Sequence, residues 1–562
     1  MKNLKYYLSF LLLLKILLCE SQEVDFENFK KVNFKITGGI NANSVFYNSN
    51  SSNSRAPFTY MLSGNLNLSA FSFSMPLSYT ITNQGNNLGY SVPFNFNRLS
   101  LMPKYKWIKA YIGDVSMSFS PYTLSGHPFR GGGLELSPKG RFKFALMGGQ
   151  LLKAIEVSES ANKVPTFQRI GYGVKVGYLK EKYKLEWIGF YAKDNINSIN
   201  SNFDEAGIAP NENIVNSLNF SSTLITNVDF NIEYALSMLS EDTRAGLLQT
   251  ENKLDKIFST RENTSMMKAV KASVNYSIQK TKLGLVYERV DPNYKTLGAL
   301  FFSNDLENIS LTVSRPFLKD KLLLNSNIGF QRDDLAAQKK QNTKRLVGII
   351  NATYQANSKL NFTGNYSNFT TYTNRNLSQF DNINNPNISP ADTLNFRQLS
   401  QNATVNMNYI FGKKKNHNFN LNYTIAGQAN EQGGIVRKGQ ASTVQNYNAT
   451  HTINFLPLKM ALNTSLNYTL NTVSIMNSSS KGGAISVSKK LLQDKLNNNL
   501  GFLYNITNAG TTTNSVLGVK YMASYIIFKK HNFSLGALQM FKKSPINSLN
   551  ELTLNFNYGY NF

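Results

Sequence analysis

The chain has 562 residues with 41% hydrophobic residues, 59 Lys+Arg against 33 Asp+Glu, and a single cysteine. Its 29 Tyr and 37 Phe make it too aromatic for a disordered chain, and its abundance of Asn and Ser makes it too polar for a bundle of membrane helices. One cysteine excludes a disulfide framework and a cysteine-rich metal site.

The first element is "MKNLKYYLSFLLLLKILLCESQ". Lys2 and Lys5 form a basic start, Tyr6 to Leu18 an apolar run, and Cys19-Glu20-Ser21 a small-x-small pattern, so residues 1–21 read as a signal peptide cleaved after Ser21. A lipid-anchor reading would acylate Cys19, but Leu18 stands where a small side chain is wanted. Removing Lys2, Lys5, Lys15 and Glu20 leaves 56 basic and 32 acidic residues, a net charge of +24. An exported chain of this charge is not expected to meet nucleic acid. Residues 22–31 read as a short periplasmic segment, and 32–562 as one barrel domain.

From residue 32 onward the governing pattern is alternation, the signature of strands with one apolar and one polar face. The chain divides into strands at 32–47, 57–67, 70–80, 93–100, 106–116, 129–136, 141–152, 169–180, 183–193, 216–225, 228–239, 266–279 and 282–290. Thirteen more follow at 306–316, 321–331, 344–355, 360–372, 402–411, 418–428, 442–455, 459–474, 482–490, 496–507, 514–527, 532–541 and 551–562. The alternation is plain at Phe419, Leu421, Tyr423 and Ile425, which are interleaved with Asn420, Asn422 and Thr424. Many segments exceed the usual length of a soluble strand and suit a tilted crossing of a hydrocarbon layer. The expected fold is all-β: a single transmembrane antiparallel up-and-down barrel of about 26 strands, between 24 and 26. Short turns alternate with long polar loops, as in barrels with short periplasmic turns and long extracellular loops, which puts both termini in the periplasm.

The short turns gather 19 lysines, among them Lys413, Lys414, Lys415, Lys529 and Lys530, against Glu181, Asp320 and Asp494. Such a basic rim solvates turns and blocks edge pairing, or it meets acidic lipid headgroups or an acidic periplasmic partner. The long loops carry acids, including Asp204, Glu205, Glu241, Asp242, Asp333, Asp334 and Asp381.

With its alternating strands, its leader ending "CESQ" and its last strand "LTLNFNYGYNF", the chain resembles the outer-membrane β-barrel proteins of Gram-negative bacteria, in its Asn-rich style those of Bacteroidota. The resemblance implies that Leu554, Phe556, Tyr558, Tyr560 and Phe562 form the insertion signal read by the barrel-assembly machinery. It also implies outer-membrane lipid as the surroundings.

No residue pattern points to an enzyme, a cofactor or a metal. His127, His417, His451 and His531 are the only histidines, and only His127 has a carboxylate near in sequence, at Asp114. Asp114, His127 and Arg130, beside Gly131-Gly132-Gly133, form the one candidate lumen or loop site, either a kinked loop in the wall or an anion or bracing site. A barrel of about 26 strands is too wide for side chains to fill. Its lumen is therefore expected to be occluded by a partner or by inward-folded loops, with 194–215, 240–265 and 373–401 long enough to serve. Two functions follow. One is a porin-like or export channel for polar solutes or polymer, with Asn463, Asn467, Thr469, Asn555 and Asn557 on its wetted wall. The other is a structural subunit of an outer-membrane assembly or secretion complex, bound to an envelope partner.

Overall fold

The structure is a computed structural model. It describes the chain apart from residues 1–33, 52–55, 84–97, 157–164, 201–206, 224, 249–257, 301, 338–343, 373–395, 433–434, 437–440 and 474–475. The expected signal peptide, the segment 22–31 and most of the loop 373–401 lie outside the described residues.

Period-two patterning makes strands throughout, and all belong to one antiparallel sheet of 28 segments. Arg98–Leu101 and Lys104–Tyr105 are two pieces of one wall strand, interrupted at Pro103, which has no N–H to give the ladder. Ile435–Val436 pairs only with the end of His417–Gln432 and lies outside the wall. Twenty-six wall strands remain, each paired with its neighbours in sequence. The sheet closes where Lys35–Ser49 meets Ser548–Asn561, in register from Gly39↔Asn561 to Ser49↔Glu551. Gly38 and Phe562 exchange backbone hydrogen bonds of 3.2 and 3.0 Å at the seam. No edge is left for pairing with another chain.

The expected strands stand within a few residues of their places. The largest differences are at Phe396–Phe411 and Met476–Leu491, which begin earlier than expected. The expected asymmetry of connections is strict at one end only. There, turns of two to five residues join every hairpin. At the other end the connections between wall strands have six residues or more up to residue 441, but those at 474–475, 510–511 and 544–547 have only two to four.

One face of the wall is apolar all round the barrel. Trp187 opposes Val176 and Leu218, Leu218 opposes Tyr234, Leu285 opposes Leu311, and the row continues through Tyr423↔Tyr447↔Tyr468 to Phe556↔Leu535. These side chains are exposed, Leu466 by 65% and Leu218 by 52%. A 13-residue strand spans about 43 Å, and at a tilt of about 45° it covers about 30 Å, the depth of a hydrocarbon core. An exposed apolar band of that height belongs against lipid, so this face is the outside.

The lysine-bearing turns share the short-turn rim. Lys413, Lys414 and Lys415 occupy the turn after Phe411, and Lys529 and Lys530 the turn after Ile527. Tight reversals there put Lys106, Lys319, Lys415, Lys459 and Lys529 at positive φ. Exposed pairs Lys280–Asp320 and Lys459–Asp494 (2.9 Å) offset little of the rim's charge.

Candidate functional site: two loops folded into the lumen

The inner face differs between the two halves of the barrel. On Tyr183–Asn195 the outward set is Leu185, Trp187 and Tyr191, yet the inward set Ile188, Phe190 and Ala192 is also apolar and almost fully buried. Val215, Ala235, Leu239, Met267 and Ala269 continue this buried inner surface over the next three strands. A strand apolar on both faces needs a second cover, and two loops at the long-loop rim supply it.

The first cover is Phe119–Leu124, between the strands Ile108–Ser118 and Ser125–Leu136. The second is Asp291–Asp305, between Thr281–Val290 and Leu306–Phe317. Eight strands separate their roots along the wall, and the two loops still touch, which places their meeting inside the barrel. Tyr294 Oη donates to the Tyr122 carbonyl at 2.8 Å, Thr296 Oγ1 to the Thr123 carbonyl at 2.7 Å, and Ser125 N–H to the Gly298 carbonyl at 2.9 Å. Tyr122, Tyr294 and Phe302 pack as a ring triad with centroids 5.1–6.3 Å apart. Gly298 is required by close approach. A Cβ there would lie 2.6 Å from the Thr123 carbonyl oxygen and 2.9 Å from the Phe190 ring.

Wall side chains hold the loops from below. Tyr122 Oη donates to the Glu288 carboxylate at 2.6 Å, Ser237 Oγ to the Lys295 carbonyl at 2.7 Å, Lys175 Nζ to the Phe119 carbonyl at 3.2 Å, and Leu297 N–H to Asn213 Oδ1 at 3.1 Å. Asn213 is itself fixed by bonds from its Nδ2 to Ser237 Oγ (2.8 Å) and the Met238 carbonyl (2.9 Å). Burial, and then the Glu288 carboxylate, push the Tyr122 hydroxyl far above its ordinary pKa, and burial does the same for Tyr294. Both phenols stay protonated and act as donors.

Beneath the loops the inner wall of this half carries paired charges. Glu186 is held by Lys175 (3.1 Å) and Lys184 (2.8 Å), Glu233 accepts from Ser217 Oγ (2.8 Å), and Lys271 lies 3.7 Å from Glu288. Higher up, Arg169 and Asp194 form a two-pronged pair at 2.7 and 2.9 Å, and Asp194 also accepts from the Asn211 N–H. Other long loops link into a collar at the same rim. Asn200 N–H donates to Glu156, Thr243 N–H to the Pro210 carbonyl, and Arg261 to Glu212 at 2.7 Å. Asp242, held by Arg244 at 2.7 Å, has its carboxyl below the usual range because of that hydrogen-bonded guanidinium.

No family model and no curated protein matches the chain. Solved structures do. One is the FpvA–pyoverdine–iron complex of P. aeruginosa, with 8% identity, a TM-score of 0.37, and coverage of 94% of this chain and 72% of that one. A second is the ferric citrate transporter FecA, at 9% and 0.38, with 93% and 78% covered. A third is the PapC P pilus usher translocation pore, at 10% and 0.35, with 93% and 99% covered. Similarity of this order is a likeness between large barrels and assigns none of those proteins' ligands or partners to this chain.

The candidate trio from the sequence is divided by the wall. Asp114 and Arg130 sit opposite each other and form a two-pronged ion pair at 2.8 and 3.0 Å on the outward face, where Leu99 N–H also donates to Asp114. His127 is buried on the inner face, its Nδ1 2.7 Å from the Pro128 carbonyl. The glycine run beside them makes room inside rather than a kink: Met117 Sδ lies where a Cβ of Gly133 would be, 2.3 Å away. The two loops described in the lumen are not among those singled out for length, of which 373–401 lies mostly outside the described residues. Of those, 194–215 and 240–265 contribute to the rim collar in their described parts.

The other half of the barrel keeps the expected polar inner wall. Asn406 and Asn420 exchange amide bonds of 3.1 and 3.3 Å, Asn408 donates to Asn418 at 2.8 Å, Asn446 to Thr469 at 2.8 Å, and Asn467 to Asn505 at 3.2 Å. Asn463, Asn555 and Asn557 lie on the same face by register. The other histidines face outward near the short-turn rim among aromatics. His417 and His451 are 3.2 Å apart and stacked with Phe411, and His531 meets Tyr558 Oη at 2.9 Å.

Proposed function

We propose that this protein is an outer-membrane channel of porin-like or export type for polar solutes or polymer, narrowed on one side by its own loops. The observation that carries the reading is the division of the inner face. One half has an apolar inner surface with paired charges beneath it, capped by Phe119–Leu124 and Asp291–Asp305, and the other is an Asn/Ser/Thr wall suited to water. A closed barrel of this strand number leaves space that wall side chains cannot fill, and a structural ring would need neither a wetted half nor a locked cap. In this reading the long-loop rim faces the medium, the lysine rim and both termini face the periplasm, and the last strand with Leu554, Phe556, Tyr558, Tyr560 and Phe562 directs insertion. Lys413, Lys414, Lys415, Lys529 and Lys530 then stand at the inner lipid surface, where each basic residue near anionic headgroups contributes about 1 kcal/mol.

Planar-bilayer recording of the purified barrel tests the reading. Stepwise conductance is expected. A folded barrel that never opens at any voltage, and that co-purifies stably with other envelope proteins, would favour the structural-subunit alternative instead.

A further inference from the structure

The capped and uncapped halves differ in charge as well as polarity. Under the cap, the inner wall holds Lys175, Glu186, Glu233, Lys271 and Glu288. In the uncapped half, across six consecutive strands from Val347 to Val473, the inward positions among the described side chains are Asn, Ser, Thr and Gln with a few apolar residues, and none is charged. Inward charge returns beyond this sector, at Lys490, Lys520 and the Lys542–Glu551 pair.

We propose that this uncharged sector is a path for neutral, hydroxyl-rich solutes of saccharide chemistry, an inference that rests on the channel reading above. Each Asn amide offers two donors and two acceptor lone pairs, and each Ser or Thr hydroxyl offers both roles. Across adjacent strands, about 4.8 Å apart, Asn406–Asn420, Asn408–Asn418 and Thr404–Thr424 form continuous rows of such groups. A sugar hydroxyl entering the rows exchanges water hydrogen bonds for wall hydrogen bonds at little net free energy. It can therefore enter and leave, as conduction requires. An ion finds no counter-charge there, so the sector focuses neither sign.

The test is a planar-bilayer measurement on the full chain at about 1 M KCl, where a Debye length of about 3 Å suppresses the lysine rim. Under a salt gradient the reversal potential should stay close to that of an unselective pore, and added maltodextrin should reduce the current in a concentration-dependent way. At about 0.1 M KCl, where a charge acts over about 10 Å, the paired change Asn406→Asp with Asn420→Asp should shift the reversal potential toward cations relative to the unmodified protein, and Asn446→Asp should do so to a smaller extent. Openings that are strongly ion-selective in the unmodified protein, or indifferent to maltodextrin, would overturn the saccharide inference and leave the channel reading standing. A folded barrel without openings would overturn both.

Discussion

Removing two hydroxyls should loosen the cap without disturbing its packing. In a Tyr122→Phe, Tyr294→Phe double variant the ring triad with Phe302 keeps its contacts, while the 2.6 Å bond to Glu288 and the 2.8 Å bond to the Tyr122 carbonyl are lost. A hydrogen bond to a charged group contributes about 1.5–3 kcal/mol and a neutral one about 0.5–1.5 kcal/mol. Glu288 keeps a second partner in Lys271 at 3.7 Å and some contact with solvent, which favours the lower part of the combined range, about 2–3 kcal/mol. At a factor of ten per 1.4 kcal/mol, the ratio of released to docked cap should rise about 30- to 140-fold. Single-channel dwell times in the larger-conductance state measure that ratio. A double variant with wild-type dwell times, whose heat-modifiable gel mobility shows an intact barrel, would refute the assignment of these hydroxyls as the lock.

Three further outcomes are expected. Gly298→Val should displace the second loop more strongly than the tyrosine changes, because its side chain would collide with the Thr123 carbonyl and the Phe190 ring; unchanged protease resistance of Asp291–Asp305 would contradict this. Asn43→Cys with Asn557→Cys should form a disulfide on mild oxidation, since the two residues are directly opposite across the seam and facing Cα atoms about 4.5–5.5 Å apart suit the bond; efficient cross-linking of Asn43→Cys with Phe556→Cys instead would mean a slipped register. The depressed Asp242 carboxyl stabilises the collar above the unfolded pKa of about 3.9 and loses that contribution only as pH falls through its lower folded value. Limited proteolysis at 241–248 should accordingly show protection at neutral pH that is lost only in strong acid and is weakened at neutral pH by Asp242→Asn. Loss near pH 6 would point to other groups.

The wall was legible in the sequence because its cause is local. A strand in a barrel obeys period two residue by residue, so "NFNLNYTI" or "LTLNFNYGYNF" declares its two faces without reference to anything distant. The cap was only half legible. Loop length suggested 194–215 and 240–265, whose described parts join the rim collar, and 373–401, which lies mostly outside the described residues; length does not draw a loop inward, but an uncovered apolar inner face does. That face is visible in "KLEWIGFYA", where Ile188, Phe190 and Ala192 break the alternation by being apolar opposite Leu185, Trp187 and Tyr191. The same doubling appears in "YALSML", and together they mark the sector that needs a lid.

The site residues show the same division between local and distant causes. His127 and Arg130 are three positions apart, and in a strand an odd spacing puts side chains on opposite faces; the expected strand began at 129, and only its observed start at Ser125 brings His127 under that rule. The Asp114–Arg130 pair depends on hairpin register, which the short loop Phe119–Leu124 fixes. Glu288 beneath Tyr122, 166 residues away, depends on closure of the whole barrel and has no local signal.

The most direct test of the account is to replace residues 293–303 with a short Gly-Ser linker and record single channels beside the unmodified barrel. The capped half then opens to the lumen, and the main conductance step should increase with the barrel's gel mobility unchanged. An identical step in the two proteins would mean that Asp291–Asp305 does not occupy the conducting path, and the division of the lumen into a capped and a wetted half would be wrong.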